Sequence, residues 1–212
     1  MSDQADEKRE VETKQLSIAG LEYYPELITV RIEKEHALLL NWLKKAVGSE
    51  KMPICYKGIV IRDNLIEATN GFALHRVVFE NESKIPFPSG FFRLKTVTQE
   101  LAVLETIEEA QPIDADKFFP AGTSAEEWVS FNANLFGRVA GNLVLDPKYL
   151  KPSLSIFGKA NIYFGSGALI IQEEKDWLGG IVCTALIMPM TNGKGQPVAE
   201  NRGGISFISV GK

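Results

Sequence analysis

The side chains with which a small protein does chemistry are sparse in this sequence. Its two histidines, His36 and His75, stand alone, and each reads as a polar residue with satisfied hydrogen bonds rather than as a general base. Cys55 and Cys183 have no basic neighbours that would mark a reactive thiolate. Two isolated thiols suit a core in a reducing compartment better than a disulfide framework. The acid pairs Glu108-Glu109, Glu126-Glu127 and Glu173-Glu174 fall in loops or on exposed faces and read as solvated surface. Gly165-Ser166-Gly167 has the form of a G-x-G turn, but no helix opens after it, and Gly158-Lys159 lacks the glycine spacing of a phosphate loop. No Cys or His cluster has metal-ligand spacing. The expectation is a protein without metal, cofactor or catalysis.

What remains is architecture. The chain has 212 residues and a net charge of −4, with 45% hydrophobic and 24% charged residues. That is ordinary globular composition, long enough to bury a core. The acidity argues against a surface that grips nucleic acid all round, while leaving room for one basic face. No run approaches the roughly 18 apolar residues of a membrane span, and the mixed-charge N-terminus has no apolar leader. A cytoplasmic location is expected. Residues 1–16 read as a disordered tail, and 17–212 as a single domain.

Residues 27–32 are rich in β-branched side chains and predict a strand. Residues 34–47 predict a helix whose apolar stripe is Leu39, Trp42, Leu43, Ala46 and Val47, with Gly48 as a left-handed cap. Strands follow at 57–62, 65–69 and 72–79, with turns at Asp63-Asn64 and Asn70-Gly71. Residues 82–90 form a proline-punctuated loop and 91–97 a further strand. Residues 100–107 fit either strand or helix, 111–127 read as loop, and 128–136 have no clear assignment. From Asn142 the first pattern recurs. A short strand at 143–145 leads to Asp146-Pro147, an N-cap followed by a first-turn proline. A helix then runs to Phe157, with Pro152 inside it, and strands are expected at 160–164, 168–172 and 180–188. Residues 204–210 suggest a last strand. The fold class is therefore α+β: two strand–helix–three-strand units, 27–80 and 142–190, around an insertion at 82–141, with a tail at 191–212. Two copies side by side share a core and pair their edges.

Residues 65–74, LIEATNGFAL, resemble the "ATDGHRL" signature of the bacterial DNA polymerase sliding clamp, the β subunit. Asp146-Pro147 with Lys148-Tyr149-Leu150, then 168–171 (ALII) and 185–190 (ALIMPM), resemble that family's C-terminal unit, which closes with "MPM". The resemblance covers about half the chain. Asn70 stands where the signature has an acid, and Phe72 and Ala73 where it has His-Arg. It implies a DNA-clamp-like sheet backed by two helices, in a non-enzymatic protein that tethers replication or repair partners to duplex DNA. In such a protein helix lysines face the phosphates without sequence preference. The matching positions are Lys34, Lys44, Lys45, Lys51, Lys148, Lys151 and Lys159. It further implies a groove for short hydrophobic peptides at Thr69, Gly71, Leu74, Met188, Pro189 and Met190, where unbranched methionines adapt to varied side chains. In the family these two segments meet across a domain boundary, so in a one-domain chain they are expected to meet only across a subunit interface. A ring of six domains requires six copies or a partner chain, which makes a homo-oligomer one expected state. The alternative is a clamp-fold interaction module that never encircles DNA; a purely structural protein is the third reading.

Overall fold

A computed structural model of the chain describes residues 16–18, 21–23, 26–80, 85–118, 129–132, 145–165, 168–173 and 180–188. Strands β1 (Leu16–Ile18) and β2 (Leu21–Tyr23) form a small antiparallel pair, so strand structure begins at the residue where the tail was expected to end. The first unit then runs β3 (Leu27–Arg31), α1 (Lys34–Leu43), β4 (Ile59–Arg62), β5 (Leu65–Thr69) and β6 (Ala73–Phe79). The insertion supplies β7 (Gly90–Val97), β8 (Leu101–Thr106) and β9 (Val129–Asn132). The second unit contributes α2 (Pro147–Leu154), β10 (Lys159–Gly165), β11 (Ala168–Glu173) and β12 (Ile181–Ile187).

Ten strands form one antiparallel sheet in the order β3-β8-β7-β4-β5-β6-β12-β11-β10-β9. The two units join at β6 and β12, whose register pairs Ala73 with Ile187 and His75 with Ala185. The insertion is woven into both halves of this sheet. Its β7–β8 hairpin separates β3 from β4, and β9 lies beside β10. Thus β3 pairs with the insertion's β8 and with no other strand of its own unit. The ambiguous segment 100–107 resolves as a strand because alternate residues, Ala102 and Leu104, are buried against the core. Of the strands expected at 143–145 and 204–210, residues 143–144 and 204–210 lie outside the described residues, and Leu145 is a buried residue just before α2.

Period-two alternation divides the sheet into two faces. Ile59, Ile61, Ile66, Ala68, Val77, Phe79, Leu169, Ile171, Cys183, Ala185 and Ile187 share one core cluster with Leu39, Leu40, Trp42 and Leu43 of α1 and Leu154 of α2. Both helices therefore cover the same face. The α-helix α1 stops at Leu43, and its apolar stripe continues through a 3-10 turn, Lys44–Ala46, that buries Ala46. Gly48 is not a left-handed cap: among the described residues the positive-φ glycines are Gly71, Gly90 and Gly180. It is small because the chain folds back on it. Gly48 N donates to Tyr56 O at 2.7 Å, and a Cβ would meet Tyr56 at 2.9 Å. Asp146 does cap α2, accepting from Lys148 N at 3.0 Å. That helix ends at Leu154 rather than Phe157; Ser155 N and Phe157 N close tighter turns on Pro152 O and Leu154 O.

Candidate nucleic-acid face and peptide groove

The two helices are fastened to each other and to the sheet through His75. Its Nδ1 lies 2.9 Å from Trp42 O and its Nε2 2.8 Å from Ser153 Oγ. The imidazole stacks on the Trp42 ring at 4.2 Å and 6°. Trp42 Nε1 in turn donates to Ser153 O at 3.0 Å. A carbonyl only accepts, so Nδ1 carries the proton, and Nε2 of the neutral ring faces a Ser153 hydroxyl whose single proton is shared with Tyr149 O, 2.8 Å away. Burial, the largest influence, pushes the His75 pKa down to about 4. The bond to Trp42 O opposes this, and the Lys45 charge reinforces it. His75 is thus a satisfied core histidine, as the sequence suggests. His36 is not: its ring sits between Phe79 and Phe87, and its buried Nδ1 has no partner among the described residues.

This arrangement brings the C-terminal ends of α1 and α2 together, with Lys45 Nζ donating to Ser155 Oγ at 2.7 Å. Lys34, Lys44, Lys45, Lys148 and Lys151 are all exposed on α1, its 3-10 extension and α2. Glu35 is the one acid within these spans. The acids Glu33 and Asp146 occupy the two N-cap positions, where the helix dipole favours negative charge. Lys148 also pairs with Asp146 at 3.0 Å and lies 4.6 Å over the Tyr149 ring. Its hydrogen bond to Asp146 raises its pKa above the usual lysine range. Lys51 is exposed beyond the helix, and Lys159 is the first residue of β10 rather than a helix residue.

The opposite face is organised in cross-strand rows. Register pairs Thr69 with Leu74, Leu74 with Leu186, and Leu186 with Ile170, giving an apolar row over β5, β6, β12 and β11. Two residues along, Glu67, Arg76, Thr184 and Gln172 form a polar row. Glu67 is buried and held by both Arg62 and Arg76, the latter at 2.7 Å, and Arg76 also reaches Asp116 at 2.6 Å. At one end of the apolar row lies a shallow depression of about 200 Å³, counting the solvent over it, lined by Thr69, Gly71, Phe72, Leu74, Leu186 and Met188.

Four of the residues matched to the peptide groove, Thr69, Gly71, Leu74 and Met188, therefore meet in one place. They meet within a single chain, contrary to the expectation of a subunit interface, because β6 and β12 are neighbours and Met188 N donates to Phe72 O at 2.8 Å. Pro189 and Met190 lie outside the described residues. The turn that shapes the rim is built by side chains. Asn70 Oδ1 accepts from Phe72 N and Ala73 N at 3.0 and 2.9 Å, Thr69 Oγ1 accepts from Gly71 N, and Gly71 takes φ +81°. An asparagine supplies the same acceptor that an acid would. Phe72, absent from the expected groove set, is 51% exposed and stacks on Tyr149 at 5.2 Å. Its departure from the signature's histidine was the one sequence signal that it differs. Among the described residues, no group of three His, Cys, Asp or Glu side chains converges as a metal site, and no helix is long and apolar enough to cross a membrane.

No family model matches the sequence, and no curated protein matches it. Solved structures do. A Caulobacter crescentus β sliding clamp superposes with TM-score 0.54 at 10% identity, covering 84% of this chain and 74% of that one. A Helicobacter pylori β clamp bound to a DNA ligase peptide gives 0.53 at 10%, covering 86% and 76%. A Streptococcus pneumoniae DNA polymerase III β chain gives 0.51 at 12%, covering 90% and 69%. At such identities the likeness is one of fold. This chain has a sliding-clamp-like α+β fold.

Proposed function

We propose that this protein is a non-enzymatic, clamp-like tether. Its helix face holds duplex DNA without sequence preference, and the depression at Thr69, Gly71, Leu74 and Met188 docks short hydrophobic peptides of replication or repair proteins. The observation that carries this reading is the division of labour across one sheet. Five helix lysines against one glutamate lie on one face, and the two groove segments meet on the other. The likeness to clamps, one of them bound to a ligase peptide, supports the same assignment. Lys34, Lys44, Lys45, Lys148 and Lys151 are the phosphate contacts, with Lys51 and Lys159 flanking them, and Pro189 and Met190 extend the groove. Homo-oligomerisation into a closed ring in the cytoplasm completes the reading.

Binding by encirclement is topological. The assembled protein should stay on nicked circular DNA through a moderate salt wash and run off the same DNA once it is linearised. Equal loss from both substrates removes the tethering function. The overall charge of −4 favours the competing reading, a partner-docking module that does not encircle DNA. A strict monomer by light scattering at high concentration, still able to bind peptides, would establish that reading instead.

A further inference from the structure

Strand β3 ends the sheet. It pairs with β8 along one edge, and among the described residues nothing pairs with the other. The ladder fixes which backbone groups lie on that open edge. Glu26 O accepts from Thr106 N, and Ile32 N donates to Glu100 O, so the even-numbered residues turn their amides and carbonyls towards β8. These groups alternate in direction along a strand, so those of Leu27, Thr29 and Arg31 point away from the sheet. Thr29 and Arg31 are exposed and Leu27 is half-buried.

Monomeric proteins blunt such an edge with a proline, a bulge or a charge directed into it. Strand β3, with the sequence LITVR, has no proline, and its register with β8 runs from Leu27 to Arg31 without a shift. Its one charge, Arg31, stands at its end. Ile28 and Val30 pack on the core but stay partly open, so the apolar core reaches this edge incompletely covered.

Laid antiparallel on a second copy, the strand is self-complementary. With Thr29 opposite its own counterpart, the outward groups of Leu27 meet those of Arg31, and Ile28 sits opposite Val30. No like charges face each other. Cross-strand pairs of β-branched residues and of threonines are favourable, and the Arg31 stem has Leu27 to cover. In any slipped register, part of each strand runs past the end of the other.

We propose that β3 is a self-association edge: two copies of this chain pair their β3 strands about a two-fold axis that passes through Thr29 perpendicular to the sheet. The inference rests on the homo-oligomer of the reading above and names one of its interfaces. An axis in that direction keeps the helices of both copies on one side, so the lysines of α1 and α2 form one basic face across the joined sheets. A ladder of five residues is small beside the roughly 1,200 Å² of a standard interface, so the pair should dissociate on dilution. Such a contact closes as a dimer, and a ring joins these dimers through a second surface.

The test is light scattering of the full chain over a wide dilution series. Thr29→Pro removes an outward amide at the two-fold while leaving the ladder to β8 intact, and should abolish the association that β3 supports. Thr29→Lys and Thr29→Glu, at an exposed position that does not threaten folding, set like charges opposite each other and should each weaken it about fivefold. An equimolar mixture of T29K and T29E should restore it. Hydrogen exchange should show the Leu27, Thr29 and Arg31 amides protected only in concentrated wild-type protein. Self-association that no variant changes overturns the β3 interface and leaves the oligomer standing. Weakening by both charges without rescue in the mixture means that β3 meets some other segment, and overturns the two-fold pairing. A wild-type chain that is monomeric at every concentration overturns the interface and the oligomer together.

Discussion

The two faces of the central sheet are made from alternate residues of the same strands, yet they are stabilised by different physics. On the helix face, β6 contributes Ala73, His75, Val77 and Phe79, and a dense core closes over them with His75 as its polar centre. On the outer face the same strand contributes Leu74 and Arg76, and among the described residues these meet a short turn at Ala115 and an ion-pair ladder from Arg62 to Asp116. One face is locked under two helices, and among the described residues the other is organised by cross-strand charge pairs. The tether proposed above would draw on the first of these, a rigid frame that holds two lysine-bearing helices in fixed relation.

The largest effect should come from breaking the locked side. Trp42→Ala removes a side chain that is only 2% exposed, together with its stack on His75 and its hydrogen bond to Ser153 O. Truncating a buried tryptophan costs about 3–5 kcal/mol. Urea unfolding should show a loss of that size with an unchanged m-value. A loss below about 1 kcal/mol would mean that the helices are not fastened through this contact.

Next comes a pH dependence. The His75 pKa is lowered from 6.5 to about 4 in the folded state. Between these values the unfolded chain takes up a proton that the folded chain refuses. Stability is therefore full above pH 6.5 and declines as pH falls towards 4, by about 3 kcal/mol from this one group. His75→Gln should flatten that portion of the stability–pH curve while lowering stability at pH 7. An unchanged slope would place the titration elsewhere.

These same residues show what was legible in the sequence. Helix α1, strands β4 to β6 and the cap of α2 follow from local pattern: the spacing of Leu39, Trp42 and Leu43, the alternation at 59–62 and 65–69, and Asp146 before Pro147. Pairing partners are not local. Nothing in residues 27–31 says that they will lie against β8 instead of the strands of their own unit, because an alternating strand satisfies any neighbour with the right pleat. Gly48 looked like a cap because glycine is read first as conformational freedom, whereas here the constraint is the approach of Tyr56. Four residues that line the depression, Thr69, Gly71, Leu74 and Met188, were named through resemblance. Ala115 was invisible: a single alanine between two aspartates has no apolar periodicity, and only the β6–β12 register shows what its methyl faces.

A smaller effect sharpens the comparison at the rim between the two faces. Asn70→Ala loses two hydrogen bonds that hold the Gly71 turn and should cost about 1–2 kcal/mol. Asn70→Asp keeps the acceptor and should stay within about 0.5 kcal/mol of wild type by thermal unfolding. It should also leave peptide docking intact, since the rim residues Phe72 and Met188 keep their positions. If Asn70→Asp matched Asn70→Ala, the amide donor would matter, and the likeness of this turn to the acidic signature would be superficial.

The smallest effect on stability should accompany the clearest effect on binding. Lys44→Glu and Lys45→Glu change exposed side chains, so each should shift stability by no more than about 0.5 kcal/mol. Phosphate contacts, by contrast, are counted by salt: each one lost lowers the slope of log K against log salt by about 0.9. The double variant should therefore lose nearly two units of slope on duplex DNA while its urea midpoint barely moves. Lys148 offers an internal contrast, because its ammonium is already shared with Asp146 and the Tyr149 ring. Lys148→Glu should lower the slope by less than either neighbour. Equal losses at all three positions would mean that DNA strips Lys148 from its partners on binding. No loss at any would leave the helix lysines as solubilising charge, and the locked face as a scaffold for the docking surface behind it.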